Sequence, residues 1–262
     1  MRTIDELAAA ARNAVSLGAD LVRSAIPHQV REKGDRDVVT DVDIKTEQEI
    51  RAYLARHTPE CGFLGEEEGQ IGDTDYTWIL DPIDGTSNFA HGLPLCAVSL
   101  ALVHHSETVI AEIAAPFLGL RYSATRGGGA FVNGDRMQAS RTSELAKAIV
   151  SIGDYAVGAD AEAKNRQRLH LTTLLAEQAE RVRMFGSAAL DLAWIAEGRT
   201  DAAIILANKP WDIAAGVLLA REAGALALDG SGGPHTFDSP DTVVTCSGLA
   251  DAIVALVRSA YR

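Results

Sequence analysis

The sequence predicts an α/β protein whose N-terminal half is α+β and whose C-terminal half is α/β. In the first half, β-like runs at 96–103, 108–114 and 121–124 are separated by short connections, a pattern typical of an antiparallel meander. From residue 148 onward, short apolar runs alternate with segments of helical periodicity. Such alternation favours a sheet covered by helices.

The composition restricts the class of protein and its partners. Apolar residues make up 47% and charged residues 23% of the 262 residues, as is typical of a soluble globular protein. A formal net charge of -12 opposes nonspecific binding to nucleic acid or to an anionic membrane. The three cysteines are widely separated, so we expect no disulfide framework and a reducing, cytoplasmic setting. No signal peptide pattern and no bilayer-spanning run is present.

The chain begins with two predicted helices that flank a polar segment. Apolar residues recur at helical spacing over 4–25, and Pro27 closes this first helix. The polar segment 31–43 contains only a short strand-like pair of valines. Asp43 is well placed to cap the second helix, because apolar residues follow it at helical spacing. On its own, capping explains Asp43 better than catalysis does.

The most informative stretch reads Trp-Ile-Leu-Asp-Pro-Ile-Asp-Gly-Thr-Ser-Asn-Phe at 78–89. It predicts a buried strand whose ladder Pro82 ends, followed by a helix that begins near Gly85. Asp81 and Asp84 would then lie where a strand stops, beside free backbone N–H groups. Carboxylates in that position are able to hold a hard cation, and a helix N-terminus attracts phosphate. Taken alone, the same pattern is typical of an ordinary Asx turn.

A second acidic run follows another predicted strand. The strand at 61–64 leads into Gly-Glu-Glu-Glu-Gly at 65–69. Adjacent glutamates repel one another unless a cation lies nearby, although charge runs usually face water. If the two strand ends lie side by side, Glu66 comes close to Asp81 and Asp84.

The pattern changes near residues 141–145, which predicts an α+β domain over 1–142 and an α/β domain over 143–262. In the second domain, strands and helices alternate, with strands at 148–152, 202–206, 225–228 and 242–246 and helices at 161–181, 187–197, 211–223 and 249–260. Asp212 falls at the start of a helix, where the helix dipole favours an acidic residue whatever its function. The histidines lack H-E-x-x-H spacing and no G-x-S-x-G elbow occurs, which argues against a zinc site and a serine hydrolase.

Several ordered motifs together resemble the inositol monophosphatase family of Mg-dependent, lithium-sensitive phosphomonoesterases. They are Glu66-Glu67, Asp81-Pro82-Ile83-Asp84-Gly85-Thr86, Gly186-Ser187-Ala188-Ala189, Trp211-Asp212 and Arg-Asp-Val-Val-Thr-Asp-Val-Asp at 36–43. The resemblance covers nearly the whole chain. It implies a layered αβαβα sandwich of the inositol monophosphatase and fructose-1,6-bisphosphatase type, and a homodimer.

The resemblance also implies roles for individual residues. Two or three Mg²⁺ ions would bind, the first through Glu66, Asp81 and the backbone carbonyl of Ile83, the second through Asp81, Asp84 and Asp212. The catalytic group would be Thr86, Asp43 and Glu66, with the Thr86 hydroxyl oriented by Asp43 to position or activate the attacking water. Substrate would contact Asp84, Gly85, Thr86, Ser187, Ala188 and Ile205, and Lys33 would lie near the site.

Electrostatics supports this assignment independently. Two unit negative charges about 4 Å apart repel by roughly 4 kcal/mol at an effective dielectric constant near 20, so converging carboxylates require cations. All-oxygen ligands favour Mg²⁺ over zinc.

The substrate is where the sequence departs from the family pattern. Inositol-cleaving members carry a glutamate six residues before the tryptophan of Trp-Asp, and here that position is Ile205. An apolar side chain accepts no hydrogen bonds from substrate hydroxyls. We therefore expect a small phosphorylated metabolite, an inositol-1-phosphate-like polyol or sugar phosphate, with myo-inositol 1-phosphate itself a poorer substrate. Histidinol-phosphate, fructose-1,6-bisphosphate and nucleotide 3'-phosphate remain alternatives, as does a noncatalytic regulator that binds a protein partner.

Overall fold

The computed structural model describes residues 2–27, 29–34, 37–72 and 75–261. Arg36, which begins one of the family-like motifs, lies outside the described residues. The helices of the described part are α1 (Ile4–Ser24), α2 (Asp41–His57), α3 (Thr86–Ala90), α4 (Ala161–Gln178), α5 (Ala188–Ala196), α6 (Pro210–Glu222) and α7 (Ala250–Ala260).

The strands form a hairpin and two sheets. The hairpin pairs β1 (Val30–Gly34) with β2 (Asp37–Thr40). The larger sheet contains β3 (Gly62–Gly65), β4 (Gly69–Ile71), β5 (Tyr76–Asp84), β6 (Ala97–His104), β7 (Glu107–Ala115), β8 (Leu120–Thr125), β9 (Gly129–Val132) and β10 (Asp135–Arg136). The smaller contains β11 (Ile149–Ile152), β12 (Arg181–Arg183), β13 (Ala202–Ile205), β14 (Leu226–Leu228) and β15 (Thr242–Thr245).

These elements stack in five layers, which confirms the expected αβαβα sandwich. Helices α1 and α2 cover one face of the larger sheet, and α5 and α6 lie between the two sheets. Helices α4 and α7 pack together on the outer face of the smaller sheet. The larger sheet has the order β10-β9-β8-β7-β6-β5-β3-β4, and β5 to β10 form the predicted antiparallel meander. The smaller has the order β12-β11-β13-β15-β14.

The predicted domain boundary falls between the two sheets. The larger sheet ends at Arg136 and the smaller one begins at Ile149. Helices α5 and α6, however, contact strands of both sheets. Independent domains over 1–142 and 143–262 therefore stay a prediction.

The second helix begins earlier than predicted, and Asp43 is not its cap. Thr40 occupies the N-cap position, and its hydroxyl accepts hydrogen bonds from the amides of Val42 and Asp43. Asp43 is the third helical residue and closes a capping box, because its carboxylate accepts the Thr40 amide at 2.9 Å. A hydroxyl three residues before an acid is the usual capping-box arrangement, so the cap assigned to Asp43 was wrong.

Pro82 does not end its strand. Strand β5 continues to Asp84, and its pairing with β6 shifts register between Asp81 and Asp84. One extra residue on β5 forms a bulge there, and a proline is tolerated in a bulge because no ladder hydrogen bond is needed from it. The bulge bends the strand end just where the acidic residues are placed.

Helix α4 ends at Gln178 rather than near residue 181 as predicted, and the short strand β12 follows it.

No helix among the described residues is both long enough and apolar enough to span a bilayer.

A buried acid on the larger sheet is expected to make the stability of the fold depend on pH. Glu112 on β7 is 5% exposed and pairs with Arg12 at 3.6 Å. Burial raises the pKa of Glu112 to about 7, because Arg12 and Arg121 offset only part of the desolvation. The folded state therefore keeps this proton longer than the unfolded chain does, and the Glu112 contribution to stability falls as the pH rises from about 4.5 to about 7.

We expect Glu112→Gln, which stays neutral, to raise the free energy of unfolding at pH 8 relative to the native chain by about 1–3 kcal/mol. The two proteins should differ little at pH 5. Urea unfolding of both at the two pH values measures this, and a difference that does not change with pH would contradict it.

Candidate active site

The two acidic strand ends lie side by side, as their sequences predicted. Strand β3 runs parallel to β5, with Gly65 opposite Leu80, and the Glu66 amide donates to the Leu80 carbonyl at 3.2 Å. Parallel neighbours end at the same edge of a sheet. Glu66 and Asp81 therefore follow paired residues of neighbouring strands at this edge of the sheet.

Three carboxylates converge beside this edge. Asp81 and Asp84 come from the bulged end of β5, and Asp212 comes from the first turn of α6. One oxygen of each lies within 4.8 Å of the others, and Asp81 and Asp84 are buried. The structure thus brings together residues that are 128 positions apart in the chain (212 − 84).

The electrostatics of this cluster is unfavourable without a cation. Burial raises the pKa of Asp81 well above its usual range, and the charges of Glu66, Asp84 and Asp212 raise it further. Burial also raises the pKa of Asp84 to about 6, despite hydrogen bonds that favour its charged form. Buried like charges are normally paired or hold a metal, and carboxylate oxygens suit a hard dication. The side chains present therefore fit the metal ion that the sequence implied.

Glu66 is not part of the three-carboxylate group. Its side chain instead accepts a hydrogen bond from the Lys33 ammonium at 3.0 Å, and Lys33 also bonds to Glu67. Burial lowers the pKa of Lys33, but its bonds to Glu67 and Glu66 outweigh burial and raise it above the ordinary value. The hairpin β1–β2 thereby brings the Lys33 ammonium to the acidic run. Lys33 was expected to lie near the site, and it lies beside Glu66 and Glu67.

The turn that carries these glutamates is held from beneath by Glu47. The buried Glu47 carboxylate accepts the amides of Glu67 at 2.9 Å and Glu68 at 2.8 Å. A Cβ at Gly65 would lie 2.3 Å from that carboxylate, so only glycine allows the approach. Glu68 pairs with Arg51 on α2. The repulsion expected among the glutamates of the run is thus relieved by Lys33 and Arg51, while the backbone amides satisfy the Glu47 carboxylate.

Thr86 and Asp43 meet as the sequence suggested. The Thr86 hydroxyl lies 3.0 Å from Asp43 Oδ1 and 2.9 Å from the carbonyl oxygen of Ile83. Because a hydroxyl has one proton, it donates fully to only one of these acceptors, and its lone pairs are left to accept a hydrogen bond. Burial raises the pKa of Asp43, while bonds from Thr40 and Thr86 favour its charged form.

Asp84 also joins the two halves of the chain. Its carboxylate accepts the Ala189 amide at 2.8 Å, the Ala188 amide at 3.2 Å and the Ser187 hydroxyl. Ser187 caps α5, so Asp84 binds the positive end of that helix. Gly85 lies in the left-handed region at φ 90°, and a Cβ there would lie 2.8 Å from the Leu95 carbonyl oxygen. These contacts require glycine at the start of α3.

A cleft of about 690 Å³ opens between the acidic cluster and the smaller sheet. Its walls include Asp84, Asp212, Ser187, Ala188 and Ile205, and its size is typical of a small-molecule site. Ile205 is 6% exposed at the end of β13. The position that differs from the family pattern therefore faces the same space as the acidic cluster.

Sequence reasoning missed three residues that shape this site. Glu47 fixes the acidic turn. The Asn88 side-chain amide bonds to the carbonyls of Leu95 and Phe185, both at 2.7 Å, and so ties α3 to the loop before α5. Asp191 lines the cleft at 2% exposure, and burial raises its pKa well above the usual range. One sequence feature does single out Asp191, because it is the acid in the otherwise apolar helix α5.

A five-layered αβαβα fold with carboxylates gathered beside a cleft is the arrangement expected of a metal-dependent phosphatase. The model of the family described as "Inositol monophosphatase family" matches residues 3–261. The chain belongs to the inositol monophosphatase family, and it is a phosphoric monoester hydrolase.

Similar proteins agree with this membership. An inositol-1-monophosphatase of Rhizobium meliloti is 38% identical over 232 residues, which cover 88% of this chain and 86% of that protein. A protein of Vibrio cholerae named Nus factor SuhB is 35% identical over 251 residues, covering 95% and 93%. The solved structure of an IMPase from Thermotoga maritima superposes with a TM-score of 0.90 at 30% identity and covers 98% of both chains.

Proposed function

We propose that the protein is a Mg²⁺-dependent phosphomonoesterase that hydrolyses a small phosphorylated metabolite with water as the nucleophile. The observation that carries this proposal is the convergence of Asp81, Asp84 and Asp212 within 4.8 Å at one end of the substrate-sized cleft. Phosphate monoesters are among the slowest uncatalysed hydrolyses, and accelerations reach about 10²¹-fold. A site for them must neutralise phosphoryl charge.

The proposed metal ligands are the ones expected from the sequence. Asp81, Asp84 and Asp212 would hold one ion, and Glu66, Asp81 and the Ile83 carbonyl another, with two or three ions in all and sensitivity to lithium. Bound Mg²⁺ supplies charge neutralisation at the phosphoryl oxygens and a lowered pKa for water. Glu66 accepts the Lys33 bond through Oε1, so its Oε2 would be the atom that binds the ion, and Lys33 also bonds to Glu67.

Thr86 and Asp43 are proposed to handle the proton of the attacking water. When the Thr86 hydroxyl donates to Asp43 Oδ1, 3.0 Å away, its lone pairs are left to accept a hydrogen bond from water. When water attacks phosphorus, the bond between phosphorus and the ester oxygen breaks. The water proton passes to the Thr86 oxygen as the Thr86 proton moves to Asp43, and the leaving alkoxide takes a proton from solvent. Gly85 and Thr86 would bind phosphate through backbone N–H groups, and Ser187 and Ala188 would contact the substrate beside Asp84.

This role for Thr86 predicts a contrast between two substitutions. Thr86→Val keeps the shape but removes the hydroxyl, and we expect kcat to fall about 100-fold, the usual size of a lost proton-transfer partner. Thr86→Ser keeps the hydroxyl and should stay within about tenfold of the native kcat. Steady-state phosphate release measures both, and equal activity of the two variants would exclude the proton relay.

A Mg²⁺-supplemented screen of phosphorylated metabolites tests the proposal as a whole. The expected result is phosphate release that requires Mg²⁺ and is inhibited by lithium. Because Ile205 offers no acceptor, myo-inositol 1-phosphate should not give the highest kcat/KM in the panel. Absence of metal-dependent release from every substrate would remove the enzymatic proposal.

A second candidate function is regulation through a protein partner, which the similarity to a protein named Nus factor SuhB favours. The complete set of site residues argues for catalysis as the primary function.

We further propose that the protein is a cytoplasmic homodimer that binds neither nucleic acid nor membrane. Exposed apolar side chains around a groove of about 360 Å³, Ile26, Leu93 and Phe117, offer a contact surface, and sedimentation equilibrium measures the oligomeric state.

A further inference from the structure

An arginine lies buried in the wall of the substrate cleft. Arg168 on α4 is 8% exposed, and its guanidinium donates to the carbonyl oxygens of Asp154 at 2.6 Å and Leu206 at 3.3 Å. These carbonyls follow β11 and β13, which are parallel neighbours in the smaller sheet. Arg168 therefore spans the carboxyl ends of two parallel strands, where α/β folds usually bind ligands.

The charge of Arg168 is poorly compensated inside the protein. Among the described residues its hydrogen-bond partners are neutral carbonyl oxygens, and a guanidinium has five N–H donors. Burial lowers the pKa of Arg168, while Tyr261 and the exposed Asp154 carboxylate partly oppose that effect. Buried cations are usually paired with an anion. Here Arg168 lines a cleft that an anion is able to enter.

A second cation and an apolar neighbour complete this part of the cleft. Lys164 lies one helical turn before Arg168 on the same face of α4 and also lines the cleft. Ile205, at the end of β13, supplies an apolar surface next to Leu206. The lining of the cleft thus combines two cations, Lys164 and Arg168, with the carboxylates of Asp84, Asp154, Asp191 and Asp212.

We propose that Arg168 and Lys164 form an anion subsite, which binds a carboxylate or second phosphate carried by the alcohol portion of the substrate. The inference rests on the proposed phosphomonoesterase function and narrows its substrate class. The reacting phosphate lies at the acidic cluster, and the second anionic group reaches the guanidinium. Arginine suits this task because its planar fork matches carboxylate and phosphate oxygens.

Two matched pairs of substrates test the subsite. Glycerol 3-phosphate and 3-phosphoglycerate differ only in a hydroxymethyl group against a carboxylate. Fructose 1-phosphate and fructose 1,6-bisphosphate differ by the second phosphate. We expect kcat/KM of the native enzyme to be at least about tenfold higher for the anionic member of one pair, since charge-assisted bonds are the strong ones. The pair that shows the preference identifies the anion.

Variants assign the preference to Arg168. In Arg168→Gln the ratio of kcat/KM between anionic and neutral substrate should fall at least about tenfold, mainly through KM. Arg168→Lys should restore part of the ratio, and Lys164→Gln should lower it by a smaller factor. The control is Arg166→Gln, an exposed arginine on the same helix that pairs with Glu162 outside the cleft, and it should leave the ratio unchanged.

The possible outcomes separate this inference from the proposed function. Metal-dependent hydrolysis without preference for either anionic substrate would overturn the subsite and leave the phosphomonoesterase intact. Equal losses on both members of a pair in Arg168→Gln would show that Arg168 only holds the loops at Asp154 and Leu206, and would overturn it too. No hydrolysis of any of the four compounds, in an enzyme that hydrolyses other phosphomonoesters, would also count against it.

Discussion

Replacement of Asp212 by asparagine is expected to lower kcat at least about 1,000-fold, equivalent to roughly 4 kcal/mol of transition-state stabilisation. Asp212 lies in the first turn of α6 and is the one member of the cluster contributed by the C-terminal half of the chain. Asparagine keeps the shape but removes the charge that attracts a dication. The helix itself needs little from this side chain, because α6 is fixed by the apolar contacts of its buried face.

Two measurements are needed because activity and metal affinity should fall together. Phosphate release gives kcat, and isothermal titration calorimetry with Mg²⁺ gives the affinity. Asp238→Asn is the matched control, since Asp238 is an exposed acid outside the cleft. Native-like turnover by Asp212→Asn would exclude Asp212 as a metal ligand, and native-like Mg²⁺ binding without turnover would give it another role.

The parts of the site that were predictable are those that local sequence determines. The order strand, acid, proline, isoleucine, acid, glycine predicts a strand end and a helix start, and Asp84 and Gly85 occupy those two places. Thr40 was missed as a cap although it stands three residues before Asp43 in a capping box. Threonine and aspartate are both favoured at the N-cap, so residue type alone did not distinguish Thr40 from Asp43.

Other contacts could not be predicted because they join distant segments. Nothing near Asp84 indicates that its carboxylate caps α5, more than 100 residues later. In the sequence, Asp212 is equally consistent with a favourable interaction with the helix dipole. Only the packing of α6 places its carboxylate beside that of Asp81. Arg168 belongs to no motif, and its place in the cleft depends on how α4 packs over β11 and β13. The proposed substrate preference depends on such contacts, which the local sequence does not specify.

Asp81→Asn is expected to raise the melting temperature of the metal-free protein. Asp81 is 2% exposed, and burial together with the charges of Glu66, Asp84 and Asp212 opposes its ionisation. Asparagine keeps the oxygen that accepts the Ile83 amide at 3.0 Å and removes the charge. If about 1–2 kcal/mol is gained, the melting temperature rises by roughly 2–8 °C for a chain of this length.

Asp84→Asn should show no such gain, although it lies in the same cluster. Its carboxylate accepts hydrogen bonds from Ser187, Ala188 and Ala189, and an amide has only one oxygen to offer these donors. The unpaired donors cost about 1–3 kcal/mol, which cancels the relief of charge repulsion. Thermal unfolding of both variants without metal should therefore place Asp81→Asn above Asp84→Asn.

With added Mg²⁺, the native protein should have a higher melting temperature than either variant. A ligand at about 100 times its Kd stabilises the folded state by roughly 2.7 kcal/mol, so the native melting temperature should rise by about 5–10 °C. Neither variant should respond, because each lacks a proposed ligand. The opposite outcome would be an Asp81→Asn variant that is less stable than the native protein without metal. It would show that charge repulsion does not destabilise the acidic cluster, and metal binding would then no longer be needed to explain why its carboxylates converge.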